Sequence, residues 1–110
     1  MKTITELLIK QNALDTLILQ RAGAVDKKEL LISKLLAMTT EIGEFANELK
    51  GDGFKYWSKK TKSDKCLEEF IDIFFFWLSI ANQMGYSGQD LEKIYDKKYD
   101  INIKRQQEDY

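Results

Sequence analysis

Glu41, Glu44 and Glu48 follow one another at spacings of three and four, and Glu69 and Asp72 stand three apart. On a helix the first three fall within about 60° of one another, at roughly 100° per residue. Their arc lies roughly 95° from an apolar seam of Leu35, Met38 and Ile42, beside the core stripe rather than opposite it. Asp72 sits between Ile71 and Ile73, which disfavours free exposure to water. Two adjacent helices offering these pairs to one cleft would gather Glu41, Glu44, Glu69 and Asp72 within a few ångströms. Without compensation that arrangement is costly, because like charges raise one another's pKa and burial adds to the penalty. A hard divalent cation such as Mg²⁺, which takes oxygen ligands, removes the cost. Positioned Lys and Arg side chains are the alternative, and a solvated acidic face is the plainest reading of all.

A second group lies near the C-terminus. Lys98, Asn102 and Arg105 share one helical face at four-three spacing, a cationic strip suited to a polyphosphate. Acids alone repel a triphosphate, whereas Mg²⁺ bridges carboxylates to phosphate oxygens while Lys and Arg hold the distal groups. Metal-bound water has a lowered pKa, and a carboxylate within hydrogen-bond reach can take its proton. The chain has no histidine and one cysteine, which excludes Ser-His-Asp and Cys-His catalysis, Glu-x-x-His di-iron sites and structural zinc. Chemistry must therefore run on carboxylates, amines, hydroxyls or a hard metal ion.

At 110 residues, the chain is expected to form one domain over residues 1–110. Seventeen Lys and Arg against eighteen Asp and Glu give a net charge of −1, which argues against nucleic acid or an anionic membrane as partner. Cys66 has no internal disulfide partner, so a reducing cytoplasm is expected. The N-terminus lacks the pattern of a signal peptide. The most apolar stretch, 70–81, contains Asp72 and falls short of the ~18 residues needed to span a bilayer.

Four helices are expected to position these groups. The first runs from about Ile4 to Ala22, with Gly23 as its C-terminal cap. Gln11 and Asp15 interrupt its apolar stripe, which reads most simply as the polar edge of an amphipathic helix. The second opens at Asp26, with Glu29 three positions on, and carries the seam Leu31, Leu35, Met38, Ile42, Phe45 and Leu49 up to Gly51, Asp52 and Gly53. A basic-aromatic loop, 54–62, follows. The third helix is expected to start near Ser63 or Asp64 and to end at Met84 before Gly85. From Ile73 to Ala81 it is apolar except at Ser79, so burial nearly all round is expected. A neighbouring subunit covering Phe74, Phe75, Phe76 and Trp77 explains this, and an unusually tight monomer core is the alternative. The fourth helix starts at Ser87, with Asp90 three positions later. With no convincing strand and no proline, the fold class is all-α, a four-helix bundle.

The segments Glu41-Ile42-Gly43-Glu44 and Glu69-Phe70-Ile71-Asp72 resemble the E-x-x-E and E-x-x-D pair of the all-α nucleoside triphosphate pyrophosphatases. This superfamily includes MazG and the dimeric dUTPases. The stretch from Glu41 to Glu48, then Phe54-Lys55-Tyr56-Trp57-Ser58, then Leu67 to Asp72 is similar to the dimeric dUTPase branch. Tyr95, Lys98, Asn102, Arg105, Gln106 and Tyr110 match that branch's closing motif in order and spacing, and Gln11 with Leu14 and Asp15 matches its first helix more weakly.

The resemblance implies an oligomeric MazG/dimeric dUTPase core, a homodimer or larger even assembly. It implies that Glu41, Glu44, Glu69 and Asp72 bind Mg²⁺, that Glu41 and Glu44 are catalytic, and that Glu41 activates the attacking water. Gln11, Asp15 and Trp57 would read the base, although a loop tryptophan serves equally as a packing anchor. Lys98, Asn102, Arg105 and Tyr110 would contact phosphate and sugar. The expected reaction is hydrolysis of dUTP to dUMP and pyrophosphate. A broader MazG-like (d)NTP pyrophosphohydrolase is the nearest alternative, and a non-catalytic helical binding module is the alternative of another class.

Overall fold

A computed structural model of the chain describes residues 1–23, 25–49 and 65–108. Within them lie α1 (Ile4–Ala22), α2 (Lys27–Glu48), α3 (Cys66–Gln83) and α4 (Gly88–Gln107), with no strand among the described residues. The all-α expectation holds. Trp57, Tyr110, the 51–53 turn and the expected start of the third helix lie outside the described residues.

Local chemistry sets the helix ends. Thr3 caps α1 by accepting from the Glu6 amide, Asp26 caps α2 through the Glu29 amide, and Ser87 caps α4 through the Asp90 amide. Thr3 with Glu6 and Ser87 with Asp90 form reciprocal capping boxes. Gly23 and Gly85 close α1 and α3 at φ of 84° and 78°, a conformation in which a Cβ is strained.

Helix α3 is the centre. α2 runs antiparallel to it: the Cys66 thiol donates to the Glu48 carbonyl at one end, and Gln83 Nε2 donates to the Lys27 carbonyl at the other. α1 lies across the C-terminal half of α3, where Asn82 Nδ2 donates to the Leu8 carbonyl at 2.8 Å. Leu8, Leu78 and Ala81 form the buried core, with Ile4, Leu7, Phe74 and Leu91 packed around them. α1 and α2 both rest on α3 but make no backbone contact with each other, so a groove runs between them with α3 as its floor.

Among the described helices α4 runs close along the backbone to α1 only, and its Leu91 packs against the core. Its first residue, Gly88, is buried against Ile4 and Thr5, where a Cβ would collide with the Thr5 side chain. Beyond Leu91 the helix is mostly exposed.

Two packing expectations are met only in part among the described residues. Leu31, Met38 and Phe45 of the α2 seam are half-buried, while Leu35, Ile42 and Leu49 are exposed. In the 73–81 stretch, Leu78, Ser79 and Ala81 are buried, but Phe75 and Trp77 are 44% and 40% exposed. The reason is geometric: among the described helices α3 has neighbours on two sides and α2 on one, so part of each apolar surface meets no other described helix.

Candidate active site

Antiparallel pairing of α2 and α3 brings the two acidic pairs to the same level. One carboxylate oxygen each from Glu41, Glu69 and Asp72 lies within 4.8 Å of the others. Glu44 sits at the exposed rim and acts on both Glu41 and Glu69. Phe45, one turn after Glu41, meets Phe70, the neighbour of Glu69, at a ring separation of 5.3 Å. That contact joins the two helices beside the acids.

The electrostatics are one-sided. Burial is the largest cause that raises the Glu41 pKa, followed by the charge of Glu44 and then by Asp72 and Glu69. Burial also leads for Glu69, with Glu44, Asp72 and Glu48 pushing in the same direction. Among the described residues, every charged group acting on these two carboxyls is another acid. Both Glu41 and Glu69 turn Oε2 away from water with no hydrogen-bond partner. Buried acceptors left without donors are unfavourable. An all-oxygen donor set with orphaned atoms of this kind fits a hard divalent cation.

The acids open into the groove. A cavity of about 490 Å³ is lined by Glu41 and Asp72 together with Gln11 and Asp15, a volume in the range of small-molecule sites. The interruptions in the α1 stripe are therefore more than a solvated edge. Gln11 is buried, and its Nε2 donates to Asp15 Oδ1 at 3.0 Å. Ser79 Oγ donates to Asp15 Oδ2 at 2.7 Å. A second cavity of about 510 Å³ continues past Asp15, Lys34 and Ser79 toward Asn82 and Gln83.

Lys34 and Ser79 are groove residues that the sequence reading does not single out. Burial lowers the Lys34 pKa, and the charge of Asp15 opposes this. Each carried a faint signal. Lys34 lies two helical turns before Glu41, and Ser79 is the one polar residue between Ile73 and Ala81.

The cationic strip stands elsewhere. Lys98, Asn102 and Arg105 are exposed on α4, and none of them lines the cavity that holds Glu41 and Asp72. The chain thus joins Gln11, Asp15, Glu41 and Asp72 in one cavity, sets Glu69 and Glu44 beside them, and keeps the strip outside it.

A family model described as dUTPase matches residues 3–89, a span that contains α1, α2, α3 and both acidic pairs. The chain belongs to the dimeric, all-α dUTPase family. No curated protein and no solved structure matches it. Membership in the dUTPase family supports a dUTP diphosphatase-like function and a nucleotide substrate. Most of α4, with Lys98, Asn102 and Arg105, lies beyond the matched span, as does Tyr110. Among the described residues no helix is long and apolar enough to cross a membrane.

Proposed function

We propose that the protein is a Mg²⁺-dependent dUTP diphosphatase that hydrolyses dUTP to dUMP and pyrophosphate. The observation that carries this reading is the shared cavity: the carboxylates Glu41 and Asp72 line the same groove as the polar pair Gln11 and Asp15. Its dimensions and lining suit a nucleotide with its base toward α1 and its phosphates toward the acids.

Glu41, Glu44, Glu69 and Asp72 are the residues to hold the ion. When bound, Mg²⁺ supplies charge neutralisation for the phosphates and lowers the pKa of a coordinated water. Glu41 accepts the proton of the attacking water, a role that its position at the cavity wall allows. Glu44, at the rim, completes the acidic set from the solvent side. Gln11 and Asp15 contact the base, with Trp57 as a stacking partner. Lys98, Asn102, Arg105 and Tyr110 hold phosphate and sugar. No covalent intermediate is needed, in keeping with a chain that has no histidine.

The separation of α4 from the acids supports a homodimer or larger even assembly in which neighbouring copies complete each site. So does the apolar hollow of about 420 Å³ lined by Phe70, Ile71, Ile73, Phe74 and Trp77. A cytoplasmic location suits such an enzyme and its single thiol.

Pyrophosphate release from dUTP, dTTP, dCTP and UTP tests the assignment. A clear preference for dUTP is expected, and equal rates on all four would replace it with the broader MazG-like activity. Glu44→Gln should abolish release. Wild-type protein that cleaves none of the four would leave the non-catalytic binding module.

A further inference from the structure

Asp15 lines the groove, yet both its oxygens are already engaged inside the protein. Oδ1 accepts from Gln11 Nε2 at 3.0 Å and Oδ2 accepts from Ser79 Oγ at 2.7 Å. Lys34 acts on Asp15 from α2 through its charge, while the Ser79 hydroxyl bonds the carboxylate directly from α3. Ser79 itself is 3% exposed, on the floor of the groove.

This chain of contacts settles the polarity of the Gln11 amide. A carboxylate accepts hydrogen bonds and donates none, so the amide must turn Nε2 toward Asp15 and leave Oε1 as its other end. That oxygen is buried, in a residue 4% exposed, and has no hydrogen-bond partner. An orphaned acceptor of this kind is unfavourable until a donor meets it. A ring N–H between two carbonyls, the imide of a uracil-type base, is a donor of matching chemistry. At the same ring position cytosine carries a lone pair, which would set acceptor against acceptor.

We propose that Ser79, acting through Asp15, is a positioning residue that keeps the Gln11 amide oxygen free as an acceptor and so makes the groove select imide-bearing pyrimidines over cytosine. The inference rests on the nucleotide-hydrolase reading above and deepens it. Thymine shares the imide, so Ser79 governs uracil against cytosine and leaves uracil against thymine to other contacts.

Steady-state kinetics on dUTP, dTTP and dCTP with the full chain test it. Ser79→Ala should lower the dUTP-to-dCTP ratio of kcat/KM about tenfold, the scale of one hydrogen bond, through KM with kcat retained. Asp15→Asn can present its own N–H to Gln11 and reverse the amide, so the ratio should fall further, toward dCTP. In both variants dTTP should follow dUTP. Circular dichroism identifies a variant that fails to fold, in which case the other decides. Wild-type preference with unchanged ratios in the folded variants would overturn the inference alone, as would an equal loss on all three nucleotides. Wild-type protein that cleaves dUTP and dCTP equally, or neither, would remove the parent reading and this inference with it.

Discussion

Glu41 on α2 and Asp72 on α3 bring carboxylate oxygens within 4.8 Å of one another at the wall of a single cavity. Two acids held this close, with Glu69 beside them, repel one another in the metal-free fold, and their cluster is the feature from which most of the expected behaviour follows.

Stability of the metal-free protein should depend on pH with a defined sign. The folded-state pKa values of Glu41 and Glu69 lie above 4.5, the ordinary glutamate value. The folded state therefore holds protons more tightly than the unfolded chain. The stability linked to that difference is fully present below the ordinary value and is lost as pH rises through the raised folded values. Thermal melts in a chelator should show a falling midpoint over that window, with a smaller fall in Glu41→Gln and Glu69→Gln. Identical slopes in wild type and both variants would contradict the repulsion.

Mg²⁺ should reverse the effect. An ion bound only by the folded state stabilises it by mass action, about 2.7 kcal/mol at a free concentration one hundred times Kd. Calorimetric melts should rise with Mg²⁺ in wild type and stay nearly flat in Glu41→Gln and Glu69→Gln. A wild-type midpoint indifferent to millimolar Mg²⁺ would tell against the cluster as a cation site.

Charge on α4 should act on substrate capture. Lys98→Ala and Arg105→Ala are each expected to raise KM for dUTP while leaving Mg²⁺ affinity little changed, since neither residue lines the cavity that holds Glu41 and Asp72. Initial-rate measurements across dUTP concentration decide this, and KM unchanged in both variants would remove the strip from the phosphate site.

Assembly should depend on the apolar hollow of α3. Phe74 and Trp77 stack with ring centroids 5.8 Å apart, and Trp77 remains 40% exposed. Trp77→Glu places a charge where a second copy would pack, so light scattering should show a smaller particle than wild type. An unchanged mass would assign that face to solvent.

Gly88 should be intolerant of a side chain. Its missing Cβ is what lets α4 start against Ile4 and Thr5. Gly88→Ala should cost about 1–3 kcal/mol by overpacking and should raise KM, because the displaced helix carries Lys98, Asn102 and Arg105. Chemical denaturation and kinetics report the two effects separately.

Helix boundaries and acidic phase were legible in the sequence because both are local. A cap needs only a side chain and an amide three positions away, which is why Asp26 and Ser87 bond where their spacing indicates. The placement of Glu41 and Glu44 on one face, and of Glu69 and Asp72 on another, follows from helical pitch alone. That these pairs meet was legible only through the family's motifs, since pitch says nothing about which helices are neighbours.

Tertiary structure alone decided the rest. Ser79 reaches Asp15 across a separation of 64 residues, so its standing as the one polar residue of its stretch could not say which partner it meets. The gap between α1 and α2, the burial of Gln11 and the seating of α4 on α1 arise from how side chains interdigitate across α3, which sets the angles between helices. Residue order thus determined four rods, three of them with side-chain caps at their N-termini, and the acidic faces of α2 and α3. The groove, the orientation of the Gln11 amide within it and the distance of the cationic strip from the acids were decided by packing, because each depends on contacts between segments far apart in the chain.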